Sequence, residues 1–415
     1  MVNLKMILIK VDIIYKIIFS ILSAFIIFFL SFDQNIWNFI WGSLSIPPQS
    51  PFSDLKAHIY YFYCFENGID VFSQNCSLIP EGTSKVTTHP KIWLYLVNYL
   101  KLELELNYNF FLIFIFSLYF YCLIDFFFKN KNYKIKIFII LFVISTTNLI
   151  LIERFATDIL IFVLVYFTLS TNKKLLQAIL IFFGLVLKHY PIFLTSIFIK
   201  YKKFLIIVSI IYILFIYNFY LEEIKLVNNN ILEIALMIAY GSRTLAKSFY
   251  HLSLEYNLLI NEENYKYFRD LVILAFVFVF LLFLSCGYRY SKINNKKVSH
   301  ETKIYFIGGA SIYVGTFIFG SNFDYRLIFL IFTVPYLMSI NNKKVRNLMI
   351  LCYVISLNSF LFQHSELLIN TEITHIIYYL KSFLIFLSKM FIFIILSYFL
   401  GSYLKEINFF SLKNI

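Results

Sequence analysis

The sequence predicts an all-α, polytopic transmembrane bundle of about 10–12 helices, a single domain over residues 1–415. Three observations carry that expectation. The chain is 60% hydrophobic and only 14% charged, with a mean hydropathy of +0.77, whereas a soluble domain carries about 25% charged residues. Apolar runs recur along the sequence, separated by short Lys/Asn-rich breaks. The charges also alternate: most of the 36 Lys/Arg fall in every second break and few of the 23 Asp/Glu accompany them. This is the positive-inside pattern, which places both termini in the cytoplasm. The formal charge of +13 therefore sets orientation. The expected partner of this surface is the lipid bilayer, and no nucleic acid is expected.

Taken in order, the first span covers about 13–32, with lysines before it and Asp33 after it. No small-residue cleavage site follows, so an uncleaved helix is expected rather than a signal peptide. The outer-face loop at about 33–107 is the longest polar stretch and holds five of the seven prolines. A connection of that length without a span is usually functional. Within it, Ser53-Asp54 reads as a helix start, an N-cap residue followed by an acid that suits the dipole. Cys64 and Cys76 share this loop, and their spacing leaves open whether they are bridged. Residues 89–102, amphipathic and aromatic, are expected along the membrane surface.

Spans follow at about 108–128, 137–152 and 155–170. Residues 175–187 are too short to cross ~30 Å of hydrocarbon comfortably. They end at Lys188-His189-Tyr190-Pro191, and a second short run reaches Lys200. This predicts a pair of short helices meeting at a polar tip. Irregular backbone at that depth persists only inside protein or against a water-filled cavity. A span at 204–220, a second outer-face loop at about 221–268, and spans at 270–287, 304–320, 327–340, 347–362 and 376–400 complete the bundle.

Charged side chains inside or at the rim of spans are costly in lipid and so are functional candidates. Asp54, Glu153, Arg154, Asp158, Lys188, His189, Asp324 and Arg326 all fall near the same expected surface. A lipid phosphate leaving group needs cations to hold it, and an acceptor hydroxyl needs a base within reach. Asp54 is the candidate base. Lys188, Arg326 and Arg154 are the candidate phosphate ligands, with Tyr190, His89 and Asp158 as further substrate-binding candidates. Each also has a structural reading: Asp54 as a solvated cap, Asp158 paired with Arg154 at i,i+4, Asp324 paired with Arg326, and Lys188 as a snorkelling anchor. Lys389, inside the last span, could snorkel, face a cavity or pair with an acid.

Five stretches in order resemble the GT-C superfamily of integral membrane glycosyltransferases. The nearest likeness is to its bacterial polyprenol-phosphate-mannose-dependent α-mannosyltransferases. FSDLKAHIYYF (52–62) resembles the first outer loop with its essential acid, Asp54. HPKIWLYL (89–96) is similar to a Tyr-Pro-x-x-Trp-like segment, with His89 where Tyr is common. ERFATDILIFVL (153–164) resembles a Glu-Arg-Gly-Asn-x-Asp run, with Phe155 and Ala156 in place of Gly-Asn. LKHYPIFL (187–194) resembles a Lys-x-x-Pro tip, and NFDYRLIFLIFTVPYL (322–337) a late Tyr-Arg segment.

The resemblance implies a sugar, such as mannose or another hexose, moved from a polyprenyl-phosphate donor to a glycan or lipid-linked acceptor. It also implies inversion of the anomeric centre, at the outer face of a bacterial cell membrane. The lipid-linked sugar is then a substrate and no cofactor is expected. Neither is a metal, since the sequence has no His-x-x-x-His, no Cys pair at zinc spacing and no Asp-x-Asp. Two alternatives stand beside this reading. An O-antigen-type polymerase of lipid-linked repeats would carry Arg-rich outer loops, and a glycan or lipid flippase would spread charges through the bilayer depth.

Overall fold

Helix α1 (Val2–Leu30) lies along α5 (Glu105–Lys129), and the pair is pinned where Lys16 reaches Asp125 at 3.1 Å. The computed structural model describes residues 2–43, 50–78, 86–87, 89–221, 239–255, 262–291, 298–320, 322–359, 361, 372–407 and 409. Among these the chain is an all-α bundle. Five helices are long and apolar enough to cross a membrane: within α1, α5, α12 (Glu262–Tyr290), α13 (His300–Phe319) and α16 (Glu372–Glu406). A sixth span is available if α6 (Tyr133–Val143) and α7 (Thr146–Arg154), bent by 48°, count as one. Their outward faces are large and apolar, for example Ile14, Phe19 and Phe29 on α1 or Leu271, Leu274 and Phe278 on α12. Such faces suit lipid rather than water.

Helices α12 and α16 approach most closely through glycine. A Cβ on Gly401 would sit 1.9 Å from the Leu284 carbonyl oxygen, and one on Gly287 would sit 1.9 Å from that of Tyr398. Small residues at a crossing let two helix backbones touch, which is where packing energy between membrane helices comes from. The centre of the bundle is α13, buried along most of its length. Around it pack α8 (Asp158–Ser170), α16, and two 3₁₀ helices at Tyr190–Phe198 and Asp324–Thr333.

The expected short pair is present as α9 (Lys174–Leu187) packed against the 3₁₀ helix Tyr190–Phe198. Pro191 starts the second member, since it fixes φ and needs no N–H partner there. Other expectations need correction. The 137–152 span is broken because Ser145 is extended and accepts the Asn148 N–H as an N-cap, starting a new helix. The 327–340 span is a 3₁₀ helix, Asp324–Thr333, followed by the short α14 (Val334–Met338). Both are almost wholly buried, so their apolar sequence faces protein, not lipid. The region 155–170 forms α8, 13 residues long, whereas the expected 204–220 span is helical throughout, as α10 (Lys202–Phe215) continued by a π-helical turn, Ile216–Tyr220. Among the described residues, fewer long spans than expected result.

Away from the spans, α2 (Gln34–Ser43), α3 (Ser53–Glu66) and α4 (Ile92–Leu100) form a cap, closed by a Cys64–Cys76 disulfide. Helix α4 buries Trp93, Leu94 and Val97 and exposes Tyr95 and Tyr99, an amphipathic division between core and surface. The expected second outer-face loop, at about 221–268, is described in part, with β1 (Ala239–Tyr240) and α11 (Ser242–Glu255) inside it; residues 222–238 and 256–261 lie outside the described residues. Strand β1 pairs antiparallel with β2 (Asn322–Phe323), Tyr240 opposite Asn322. Helix α15 (Lys343–Leu357) replaces the expected 347–362 span.

Candidate active site

Two phenylalanines fix the local backbone. Phe52 (φ 59°) and Phe155 (φ 49°) both take the left-handed conformation, which bulky residues rarely adopt. Phe155 ends α7: its N–H goes to the Ile152 carbonyl and the next N–H, of Ala156, to that of Leu151. Such bonds satisfy carbonyls that a helix end leaves open. Phe52 precedes α3, so the N-cap expected at Ser53 is displaced by one residue and carries no side-chain cap bond. Its N–H donates instead to the Glu153 carbonyl at 3.0 Å. The start of α3 is thereby tied to the end of α7, and Asp54 is brought to the neighbourhood of Arg154. The Phe52 ring sits among Trp37, Phe116 and Phe155, packing that holds the strained turn in place.

The break after Arg154 has a second effect. With Phe155 left-handed, positions 154 and 158 no longer share a helix face, and the expected Arg154–Asp158 pair does not form. Arg154 lies beside Glu153, Nε to Oε2 3.8 Å. Asp158, at the first residue of α8 and fully buried, faces three other groups. It pairs with Lys188, accepts the Tyr190 hydroxyl at 2.5 Å, and lies 3.4 Å from the Arg326 Nε. The Arg326 guanidinium covers the Tyr190 ring at 5.3 Å and donates to the Asn322 side chain. Lys188 is therefore no snorkelling anchor, being only 7% exposed.

Helix α4 delivers the rest. The Trp93 indole donates to the Leu187 carbonyl at 3.2 Å, next to Lys188. His58 stacks on Trp93, centroids 4.6 Å apart, and meets His89 edge-on at 4.5 Å. His89 Nε2 is 3.3 Å from the Thr157 hydroxyl. Burial lowers His58 to about 3, with the Lys188 charge adding to the effect. Burial also drives His89 well below the usual histidine range, and the charges of Lys188 and Arg326 act in the same sense. Both imidazoles are neutral at pH 7.

Asp54 differs from its neighbours. It is half-buried, and among the described residues nothing donates a hydrogen bond to its carboxylate. Burial raises its carboxyl above the ordinary range; Arg154 and Lys188 pull it down without cancelling that effect, and Asp158 pushes it up.

The structure thus gathers Asp54, His89, Arg154, Asp158, Lys188, Tyr190 and Arg326 from separate segments into one cluster. Asp324 is not part of it. Its expected partner was Arg326, but a 3₁₀ turn points the two apart, and Asp324 pairs with Lys389 instead. Asn322 and Thr157 join the cluster without having been singled out, and His58, which reads from sequence as an ordinary interfacial histidine, joins it too. Asn322 lies inside the late Tyr-Arg segment, so its neighbours were the one available signal. No group of three or more His, Cys, Asp and Glu among the described residues could hold a metal ion.

Chemically, the cluster offers a carboxylate with spare acceptor capacity beside three cations, two of them oriented by Asp158. No family model matches the chain, and no curated protein or solved structure does either.

Proposed function

We propose that the chain is a GT-C-like membrane glycosyltransferase. It would transfer a hexose from a polyprenyl-phosphate donor to a glycan or lipid-linked acceptor at the non-cytoplasmic face. The observation that carries this reading is the contrast between Asp54 and Asp158. Asp158 is saturated by Lys188, Tyr190 and Arg326, and so acts as an orienting anion. Asp54 lacks such partners and is desolvated, which moves a carboxyl toward the pKa that a base working near neutrality needs.

In this mechanism Asp54 takes the proton of the acceptor hydroxyl as that oxygen attacks the anomeric carbon. The bond to the donor phosphate breaks with its electron pair. Lys188 and Arg326 stabilise the departing phosphate, a charge-assisted contact that strengthens as negative charge develops. Arg154 sits on the Asp54 side and offers a third cation. Tyr190 and His89 hold the walls, Tyr190 under the Arg326 guanidinium and His89 against Thr157. The chemistry needs only the lipid-linked sugar as donor, the acceptor and the bilayer.

The test is transfer from radiolabelled polyprenyl-phosphate sugars into membranes carrying wild type or Asp54→Asn protein. Transfer that collapses in the variant at equal protein level supports the enzyme and names the donor. Equal transfer by both removes Asp54 from the mechanism. A second reading, a glycan or lipid flippase, is favoured by one observation: Lys389 and Asp324 form a charged pair deep in the bundle. Donor-independent movement of a labelled lipid across vesicles would select it.

A further inference from the structure

A cavity of about 520 Å³ opens where α6 and α15 begin. Its polar wall is Asn132, Tyr133 and Lys134 on one side and Arg346 and Asn347 on the other; Met338 and Ile350 form the apolar part. No acid lines it. Nearby in sequence, Lys131 and Lys136 flank the first wall and Lys343 and Lys344 the second, while Lys129 is paired with Asp125 at 3.1 Å. Both helices start at this cavity with capped N-termini, Asn132 accepting from the Lys134 N–H and Asn342 from those of Lys344 and Val345. Their dipoles add positive potential at the same place.

We propose that this cavity binds the phosphate headgroup of an anionic phospholipid. Lys134 and Arg346 would hold the phosphate from opposite walls, and the acyl chains would leave over Met338 and Ile350. The Arg346 Nη1 is already oriented by the Ile340 carbonyl at 3.3 Å, and Lys134 stands over the Tyr133 ring at 5.9 Å, an aromatic suited to headgroup depth. A lining with cationic walls and an apolar part at Met338 and Ile350 fits a phosphate amphiphile better than a free ion. Basic pockets between membrane helices are where acidic headgroups collect.

The site is independent of the proposed catalytic cluster. Helices α6 and α7, bent by 48° at their junction, separate Tyr133 at the cavity from Arg154 at the cluster, and no residue lining the cavity belongs to the cluster.

The test uses the full chain purified in detergent and mixed with phosphatidylglycerol or phosphatidylcholine. Retained lipid is counted by native mass spectrometry, and thermal unfolding is followed in parallel. Wild type should retain phosphatidylglycerol at least tenfold over phosphatidylcholine and melt higher with it. Lys134→Gln/Arg346→Gln should lose both effects, while Lys343→Gln/Lys344→Gln, just outside the cavity, should keep them. The single variants Lys134→Gln and Arg346→Gln keep the question open to test should the double variant not fold. Equal retention of the two lipids, or equal loss in the 343/344 control, would overturn the proposal. So would the same stabilisation by inorganic phosphate or soluble glycerol phosphate without lipid.

Discussion

Lys389 Nζ stands 2.7 Å from both carboxylate oxygens of Asp324, and neither side chain has any exposed surface. Ser359 donates to the same carboxylate, and Lys389 also donates to the Ala239 carbonyl at 3.3 Å. One ammonium thus ties the last helix to β1 and to the turn that begins two residues before Arg326. A buried pair of this kind contributes little net stability compared with well-packed apolar residues, but removing one partner strands a charge and costs about 3–5 kcal/mol. Lys389→Met should therefore lower the melting temperature in detergent sharply, and Asp324→Leu/Lys389→Met should recover much of the loss. Equal melting of the single and double variants would show that the two groups are not coupled.

Asp54 carries a prediction about pH. As a base it works only when deprotonated, and burial raises its carboxyl above the ordinary range. The acid limb of the transfer rate should therefore lie above the range of an ordinary carboxylate, rising with pH as Asp54 ionises. His58, lowered to about 3, and His89, lower than usual, stay neutral, so neither should add an inflection between pH 5 and 7. A histidine-like step surviving in wild type but lost in His89→Gln would contradict this.

The same raised carboxyl bears on stability, with the opposite sense. A folded-state pKa above the unfolded value means the native state binds the proton more tightly, so its contribution is present at low pH and lost as pH rises. At pH 7 the ionised, desolvated Asp54 is a burden to the fold. Asp54→Asn should melt at the same temperature as wild type or higher while losing transfer by at least 100-fold. A lower melting temperature would assign Asp54 a structural role.

Asp158→Asn removes the anion that orients Lys188 and Arg326. It should cost both stability, by leaving two cations clustered, and donor binding, read as a higher KM for the lipid-linked donor. Asp158→Glu, which restores the charge on a longer stem, should regain stability more fully than KM, because phosphate placement depends on distance as well as charge.

Much of the site was legible because membrane sequence makes charge conspicuous. Lys188 and Tyr190 stood out because the run before them was too short to cross, and the short pair α9 with Tyr190–Phe198 is what formed. Asp158 was visible as an acid at a span's edge, yet its partners were not. Phe155 breaks the helix through a left-handed conformation that nothing in its side chain announces, and that break sends Asp158 toward Lys188 rather than Arg154. The 3₁₀ helix Asp324–Thr333 was invisible for a related reason: an apolar run shows that a segment is buried, not how tightly its backbone is wound. Asp324 and Lys389 lie 65 residues apart, a separation at which no periodic pattern connects partners.

The Cys64–Cys76 bond closes the segment that follows the Asp54 helix, and both cysteines lie within the first fifth of the chain. They can meet as soon as α1 to α3 have left the ribosome, before most of the bundle exists. The cap's covalent closure rests on sequence that precedes Asp158, Lys188 and Arg326, so Cys64→Ser/Cys76→Ser should loosen the segment after the Asp54 helix and leave the Asp158 contacts in place.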